Sequence, residues 1–238
     1  MTSPFTITRD GAVAILTQDD GKANTYLQAT FEDLISKFDE IEKSDATAVL
    51  LRGRVGVFSA GLNLKVLPTL GPAEWIPLLE KFGEAVMRVF LFPRPIVAEV
   101  TGHAIGAGAI FAFASDVRIF TKGPFKFGLN EVPNGMPVPG FGVEPARFAI
   151  RLSDQMELIC HGRMLSPEEA VEYRIGVSAS DPDDAPKLAL QKAHALSELP
   201  SSVYAATKLN VRGAAGEHVR TTLAAEVRNF VAAVAGKK

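Results

Sequence analysis

The stretch KFGLNEVPNG, residues 126–135, sets one carboxylate, Glu131, among apolar and turn-forming residues. Burial against neighbours such as Val132 and Pro133 lifts a carboxyl pKa towards neutrality, where the group can take up and return a proton. The plainer reading is a polar loop residue bonded to nearby backbone N–H groups. Two further stretches carry a different chemistry. FSAGLNLK, residues 58–65, leaves a strand, passes Ala60-Gly61 and starts a helix that Asn63 could cap. IGAGAIF, residues 105–111, leaves another strand and opens a helix through Gly106, Ala107 and Gly108. Glycine lets the backbone approach a ligand, and the first N–H groups of a helix have no partner within it. Two such turns could present two N–H groups to one developing oxyanion. They could equally be two tight turns with nothing bound.

Other chemistries lack their residues. Gly106 and Gly108 are spaced as in a dinucleotide-binding turn, but Phe111 stands at the third glycine position, and G-x-G alone is a weak signal. The four histidines, His103, His161, His194 and His218, are scattered, none with a partner four residues away, and Cys160 is the single cysteine. No metal site is expected from that spacing. Ser59 in VFSAGL lacks the G-x-S-x-G elbow of a hydrolase nucleophile and reads as a loop residue.

The elements that must position these residues alternate between strand and helix. FTITRDGAVAILTQ alternates apolar and polar residues about Asp10-Gly11, a hairpin signal. Leu27, Phe31, Leu34, Ile35, Phe38 and Ile41 recur at helical spacing. AVLLRG is a short buried strand, AEWIPLLEKFGEAVMRVFLF an amphipathic helix stopped by Pro93 and Pro95, and PIVAEV a strand feeding the glycine-rich turn. AIFAFAS reads as a buried helix and VRIFT as a strand; Ser166, Pro167 and Glu169 form a capping box. No strand candidate follows GVSASD. An α/β core over 1–182 and a helical region over 183–238, for packing and assembly, are therefore expected. The formal charge of −2 argues against a nucleic-acid partner, and a lone cysteine suits a reducing compartment. Neither a signal peptide nor a bilayer-spanning run is visible, and the tail AGKK matches no prenylation or peroxisomal signal. A soluble cytoplasmic protein without membrane association is the expectation.

The three stretches, in this order, resemble the crotonase superfamily, the enoyl-CoA hydratase/isomerase family. The resemblance runs from KANTY through AVLLRGRVGVFSAGLNL, PIVAEVTGHAIGAGAIFAFASDVRIF and FKFGLNEVPNGM to GRMLSPEEAVEYRIGVS. It implies an α/β, ClpP-like spiral of repeated ββα units with a C-terminal helical assembly region, usually in trimers or pairs of trimers. It also implies acyl-CoA substrates, with coenzyme A entering as part of the thioester and no separate cofactor. The backbone N–H groups of Leu62 and Ala107 would hold the thioester oxygen as an enolate forms. Lys22, Ala23, Ala60, Gly61, Leu62, Asn63, Leu64, Lys65, Gly106 and Ala107 would line the CoA and substrate path. Family hydratases carry two glutamates. One position matches Glu131; the other, three residues beyond Ala107, is Ile110. A single glutamate suffices to move a proton from C2 to C4, whereas two carboxylates help to add water. FSAGLNL and GLNE accordingly resemble the Δ3,Δ2-enoyl-CoA isomerase branch, where Asp often stands in place of Asn63; PNGMPVPG departs from the usual loop by its extra prolines. The alternatives are a hydratase or another thioester-enolate enzyme, a non-catalytic acyl-CoA-binding or RNA-associating homologue, and an NAD-binding protein.

Overall fold

Alternation about Asp10-Gly11 gives a hairpin in the computed structural model, which describes residues 3–235. Met1, Thr2 and residues 236–238, including most of the AGKK tail, lie outside the described residues. β1 (Phe5–Asp10) runs antiparallel to β2 (Val13–Gln18), with Asp10 opposite Val13. After the short β3 (Thr25–Tyr26), α1 (Gln28–Lys43) buries Phe31, Leu34, Phe38 and Ile41, one stripe at helical spacing. The pattern then repeats. β4 (Ala48–Arg52), β5 (Gly56–Ser59) and the short β6 (Gly61–Leu62) lead to α2 (Pro72–Phe90). β7 (Ile96–Val100) and β8 (Gly102–Ile105) lead to α3 (Ala107–Ala114), and β9 (Val117–Thr121) and β10 (Phe127–Gly128) to α4 (Gly140–Ala149).

This is a spiral of ββα turns. The leading strands build one sheet in the order β1-β2-β4-β7-β9-β11, where β11 is Ser178–Ser180 and every pair beyond the hairpin is parallel. The second strands of successive turns build a smaller parallel sheet in the order β10-β8-β5. Helices cover both faces of the large sheet, as a parallel sheet requires. On one face Val49, Leu51, Ile96, Ala98 and Phe120 join the main core with the aromatic rings of α1 and α2. On the other, Ile15, Leu50, Val97 and Ile119 meet Ala189 and Ala193 of α6 (Ala185–Ser197).

α5 (Pro167–Glu172) starts at the capping box: the Glu169 N–H donates to Ser166 Oγ at 3.1 Å, and the Ser166 N–H donates to Glu169 Oε2 at 2.8 Å. α7 (Ser201–Ala235) packs along α2 and α4. Its Lys208 and Arg212 pair with the largely buried Asp116 at 2.8 and 3.1 Å. Arg212 also donates to the carbonyls of Phe90 and Ala114. The helix expected to start after FSAGLNL does not form. Asn63 Oδ1 instead accepts the Lys65 N–H at 3.1 Å in a turn, followed by a three-residue 3-10 helix, Leu67–Thr69. Pro68, Gly71 and Pro72 follow closely, and each disfavours a continuing α-helix, so the next one starts only at Pro72. No helix among the described residues is long and apolar enough to cross a membrane.

Candidate active site

β5, β8 and β10 lie side by side and parallel, so their carboxyl ends deliver three segments to one edge. These are Ala60–Leu62, Gly106–Ala107 and Leu129–Glu131. Neighbouring strands stand about 4.8 Å apart, and the segments touch. A Cβ built on Gly61, at φ 86°, would lie 2.7 Å from Ile105 O and 3.2 Å from Ala107 N. Gly106 adopts φ 55°, a conformation that L side chains rarely take, and a Cβ there would lie 3.3 Å from both Asn130 Oδ1 and Glu131 Oε1. Glycine at both places lets the three segments close on one another.

Hydrogen bonds fix each segment from behind. Ser59 Oγ donates to the Asn24 carbonyl at 2.6 Å and accepts the Gly61 N–H at 3.1 Å. Ser59 is thus a buried brace at the end of β5, with its hydroxyl committed to backbone. The Ala60 N–H donates to Ala23 O at 3.0 Å, and the Gly106 N–H to Gly128 O at 3.0 Å. Ala107 is the first residue of α3, so its N–H has no acceptor within the helix. The loop after β10 is equally fixed: Glu131 O accepts the N–H groups of Asn134 and Met136 at 3.0 and 2.9 Å, around a 3-10 turn over Val132–Asn134. Gly135 closes that turn in the left-handed region, at φ 74°. The proline-rich departure PNGMPVPG therefore leaves Glu131 at the mouth of α3.

A solvent-open cleft joins these parts. Ala60, Gly61, Leu62, Gly106, Ala107, Asn130, Glu131 and Asn134 line it together, and Leu64, Leu67, Leu79, Phe82, Met136, Pro139 and Phe230 complete an apolar wall. Among the described residues, Glu131 is the one titratable residue of that lining. Its Oε2 is shut off from solvent, with no hydrogen-bond partner among the described residues. Desolvation pushes its pKa up to about 7, partly offset by the backbone N–H groups of Glu131 and Asn130. Such a group exchanges protons near neutral pH. Beside it, two close-packed turns present main-chain N–H groups where negative charge could be held.

The other expected site residues are placed differently. Lys22 is exposed and Ala23 half-buried in the turn before β3; neither lines the cleft, although Ala23 braces Ala60. Asn63 and the exposed Lys65 sit in the turn after β6, outside the lining, and Leu64 is within it. Ile110 is fully buried and lines no part of the cleft; a Cβ on Gly142 of α4 would come 2.7 Å from its Cδ1. Asn130, Asn134 and the apolar wall other than Leu64 are additions that sequence reading missed. Leu79 and Phe82 belong to the apolar stripe of α2 that also fills the core, and nothing in their spacing marks which member faces a cavity.

Comparison with known proteins accords with this geometry. The family model described as enoyl-CoA hydratase/isomerase matches residues 8–238. A probable enoyl-CoA hydratase of Mycolicibacterium paratuberculosis is 31% identical over 224 residues, covering 94% of this chain and 87% of the relative. The crystal structure of an enoyl-CoA hydratase from Mycobacterium ulcerans superposes with a TM-score of 0.87 at 27% identity, covering 97% of this chain and 99% of that one. Human mitochondrial delta3-delta2-enoyl-CoA isomerase shares the fold, with a TM-score of 0.91 at 24% identity and coverage of 96% and 91%. With the ββα spiral, the paired turns and the half-buried glutamate at their mouth, the chain belongs to the enoyl-CoA hydratase/isomerase family.

Proposed function

We propose that this enzyme is a Δ3,Δ2-enoyl-CoA isomerase. The observation that carries the reading is that, among the described residues, Glu131 is the one titratable residue lining the cleft, while Ile110 is a fully buried alkyl group outside that lining. In the reaction, the N–H groups of Leu62 and Ala107 hold the thioester oxygen. The Glu131 carboxylate takes a proton from C2, and the C2–H electrons delocalise through the C3–C4 double bond and the carbonyl as a dienolate. The resulting carboxylic acid returns the proton to C4, leaving the double bond between C2 and C3 and Glu131 ready for another cycle. No water enters and no second acid is needed. Removing an essential general base costs about 10²–10⁴ in rate, so Glu131→Gln is expected to lose at least that factor in isomerisation while binding acyl-CoA nearly as well. Brisk hydration of 2-enoyl-CoA by the wild type, with 3-enoyl-CoA untouched, would refute the isomerase reading.

A hydratase is the second reading, favoured by the name of the 31%-identical relative and by the amides of Asn130 and Asn134 in the same lining. Those amides can orient a water that Glu131 deprotonates. A single panel of 2-enoyl-CoA and 3-enoyl-CoA substrates separates the two. We also infer assembly into homotrimers or pairs of trimers, supported by the exposed apolar side chains of Leu199, Val203, Leu209 and Val211 at and beyond the start of α7.

A further inference from the structure

The cleft has apolar lining that proton transfer at Glu131 does not use. Phe82 of α2 forms one wall of it, 2% exposed and held by ring contacts to Phe31 and Phe141 at 4.6 and 4.8 Å between centroids. Another wall comes from the far end of the chain. Phe230 of α7 lines the same cleft, 7% exposed, its ring 6.0 Å from that of Trp75. One helical turn earlier on α7 stands Glu226. Its Oε2 accepts the N–H of Gly140, the first residue of α4, at 3.0 Å, and its Oε1 accepts the Thr222 hydroxyl at 2.7 Å. A carboxylate there meets the positive end of the α4 dipole. The approach is close: a Cβ on Gly140 would collide with Glu226 Oε2. Pro139, beside Gly140, also lines the cleft. Glu226 thus sets the spacing between α7 and the loop that carries Glu131, and Phe230 rides on that spacing.

We propose that Phe230 ends the acyl pocket and selects short acyl chains, with Glu226 as the residue that positions it; this rests on the acyl-CoA reading of the same cleft. Phe82 is locked by the rings behind it, so a longer chain must displace Phe230, and close-packed interiors resist such displacement. One methylene in a fitted apolar pocket discriminates by about 10-fold or more.

The test uses the full chain and its Phe230→Ala and Phe230→Trp variants. It measures kcat/KM for 3-hexenoyl-CoA and 3-dodecenoyl-CoA, and titrates hexanoyl-CoA and dodecanoyl-CoA as unreactive probes. The wild type should prefer the shorter member of each pair. Phe230→Ala should move the ratio at least about 10-fold towards the longer, and Phe230→Trp should move it the other way. If Phe230→Ala melts early, Phe230→Trp carries the test, since it keeps an aromatic ring in place. Glu226→Ala should raise KM for 3-hexenoyl-CoA more than it lowers kcat, and Glu226→Gln, which can still accept the Gly140 N–H, should recover most of that loss. Length ratios unchanged in folded Phe230 variants overturn the proposal and leave the isomerase reading intact. Saturated esters bound with the expected length preference, but no turnover of either enoyl substrate, support the proposal and sink the isomerase reading. A wild type that binds no acyl-CoA overturns both.

Discussion

What makes Glu131 costly to the fold is also what suits it to the proposed reaction. Its carboxyl is desolvated, with Oε2 unpartnered among the described residues and a pKa pushed up to about 7. The proposed reaction needs the ionised form, so kcat/KM should rise with pH and level off above an apparent pKa near 7. For stability the sign is opposite. Below the ordinary carboxyl range the group is neutral in both folded and unfolded states. Between that range and about 7 the folded chain holds the proton that the unfolded chain has lost, so stability falls with rising pH until the folded group ionises. Glu131→Gln should therefore be inactive yet more stable than the wild type above neutral pH, by about 1–3 kcal/mol, and equal to it in acid. Thermal melts across pH check this; a variant less stable at alkaline pH would contradict it. Ala107→Pro examines the partner group. Proline is well accepted at the first position of a helix, where Ala107 stands, so the fold should survive while one N–H is lost. Turnover should drop about 10²–10³-fold; near-normal turnover would remove Ala107 from the oxyanion site. Ile110→Glu is different: a carboxyl at a fully buried position packed on Gly142 should destabilise by several kcal/mol, read as an early melt.

The elements that hold these groups were legible where local chemistry decides them. The hairpin at Asp10-Gly11, the stripe of α1 and the Ser166 capping box follow from pattern alone. The turn after β6 was not legible, because a possible cap at Asn63 says nothing about the prolines that disfavour a helix beyond it. The small sheet β10-β8-β5 escaped as well. β10 has two residues, too few to show alternation, yet that sheet is what brings Gly61, Gly106 and Glu131 together. Glu131, Gly106 and Ala107 were visible as types at a spacing. Phe82 and Phe230 were not, since apolar residues on helical stripes look alike until packing is known. Long-range ion pairs are likewise silent in sequence. Asp116, which also accepts the Ile96 N–H at 2.7 Å, joins β7 to α7 through Lys208 and Arg212. Asp116→Ala leaves two largely buried cations without their partner and should cost about 3–5 kcal/mol, seen as a lower denaturant midpoint. A loss under 1 kcal/mol would show that backbone carbonyls alone hold α7.

At the scale of the whole molecule, each turn of the spiral after the first contributes a backbone segment to the site, and α7 closes around it. α6 covers the outer face of the large sheet, while α7 is anchored at Asp116 and again at Gly140. The first part of α7 leaves Val203, Leu209 and Val211 exposed, and its later part buries Val219, Val227 and Phe230. If copies assemble through the exposed part, Val203→Glu with Leu209→Glu should shift light scattering towards monomer while the melting temperature changes little. A wild type already monomeric at micromolar concentration would reject assembly. The length of α7 has a mechanical meaning. Ser201–Ala235 is one uninterrupted helix, and about 30 Å of it separates the ionic anchor from Phe230 at 1.5 Å per residue. With the first anchor as fulcrum, a tilt of about 2° sweeps the Phe230 ring through about 1 Å, close to the length that one more methylene adds to a chain. The Glu226–Gly140 bond is the stop at the far end of that lever. How sharply the pocket tells one chain length from the next is then set by the stiffness of a rod, and warming should blur the distinction before it unfolds the protein.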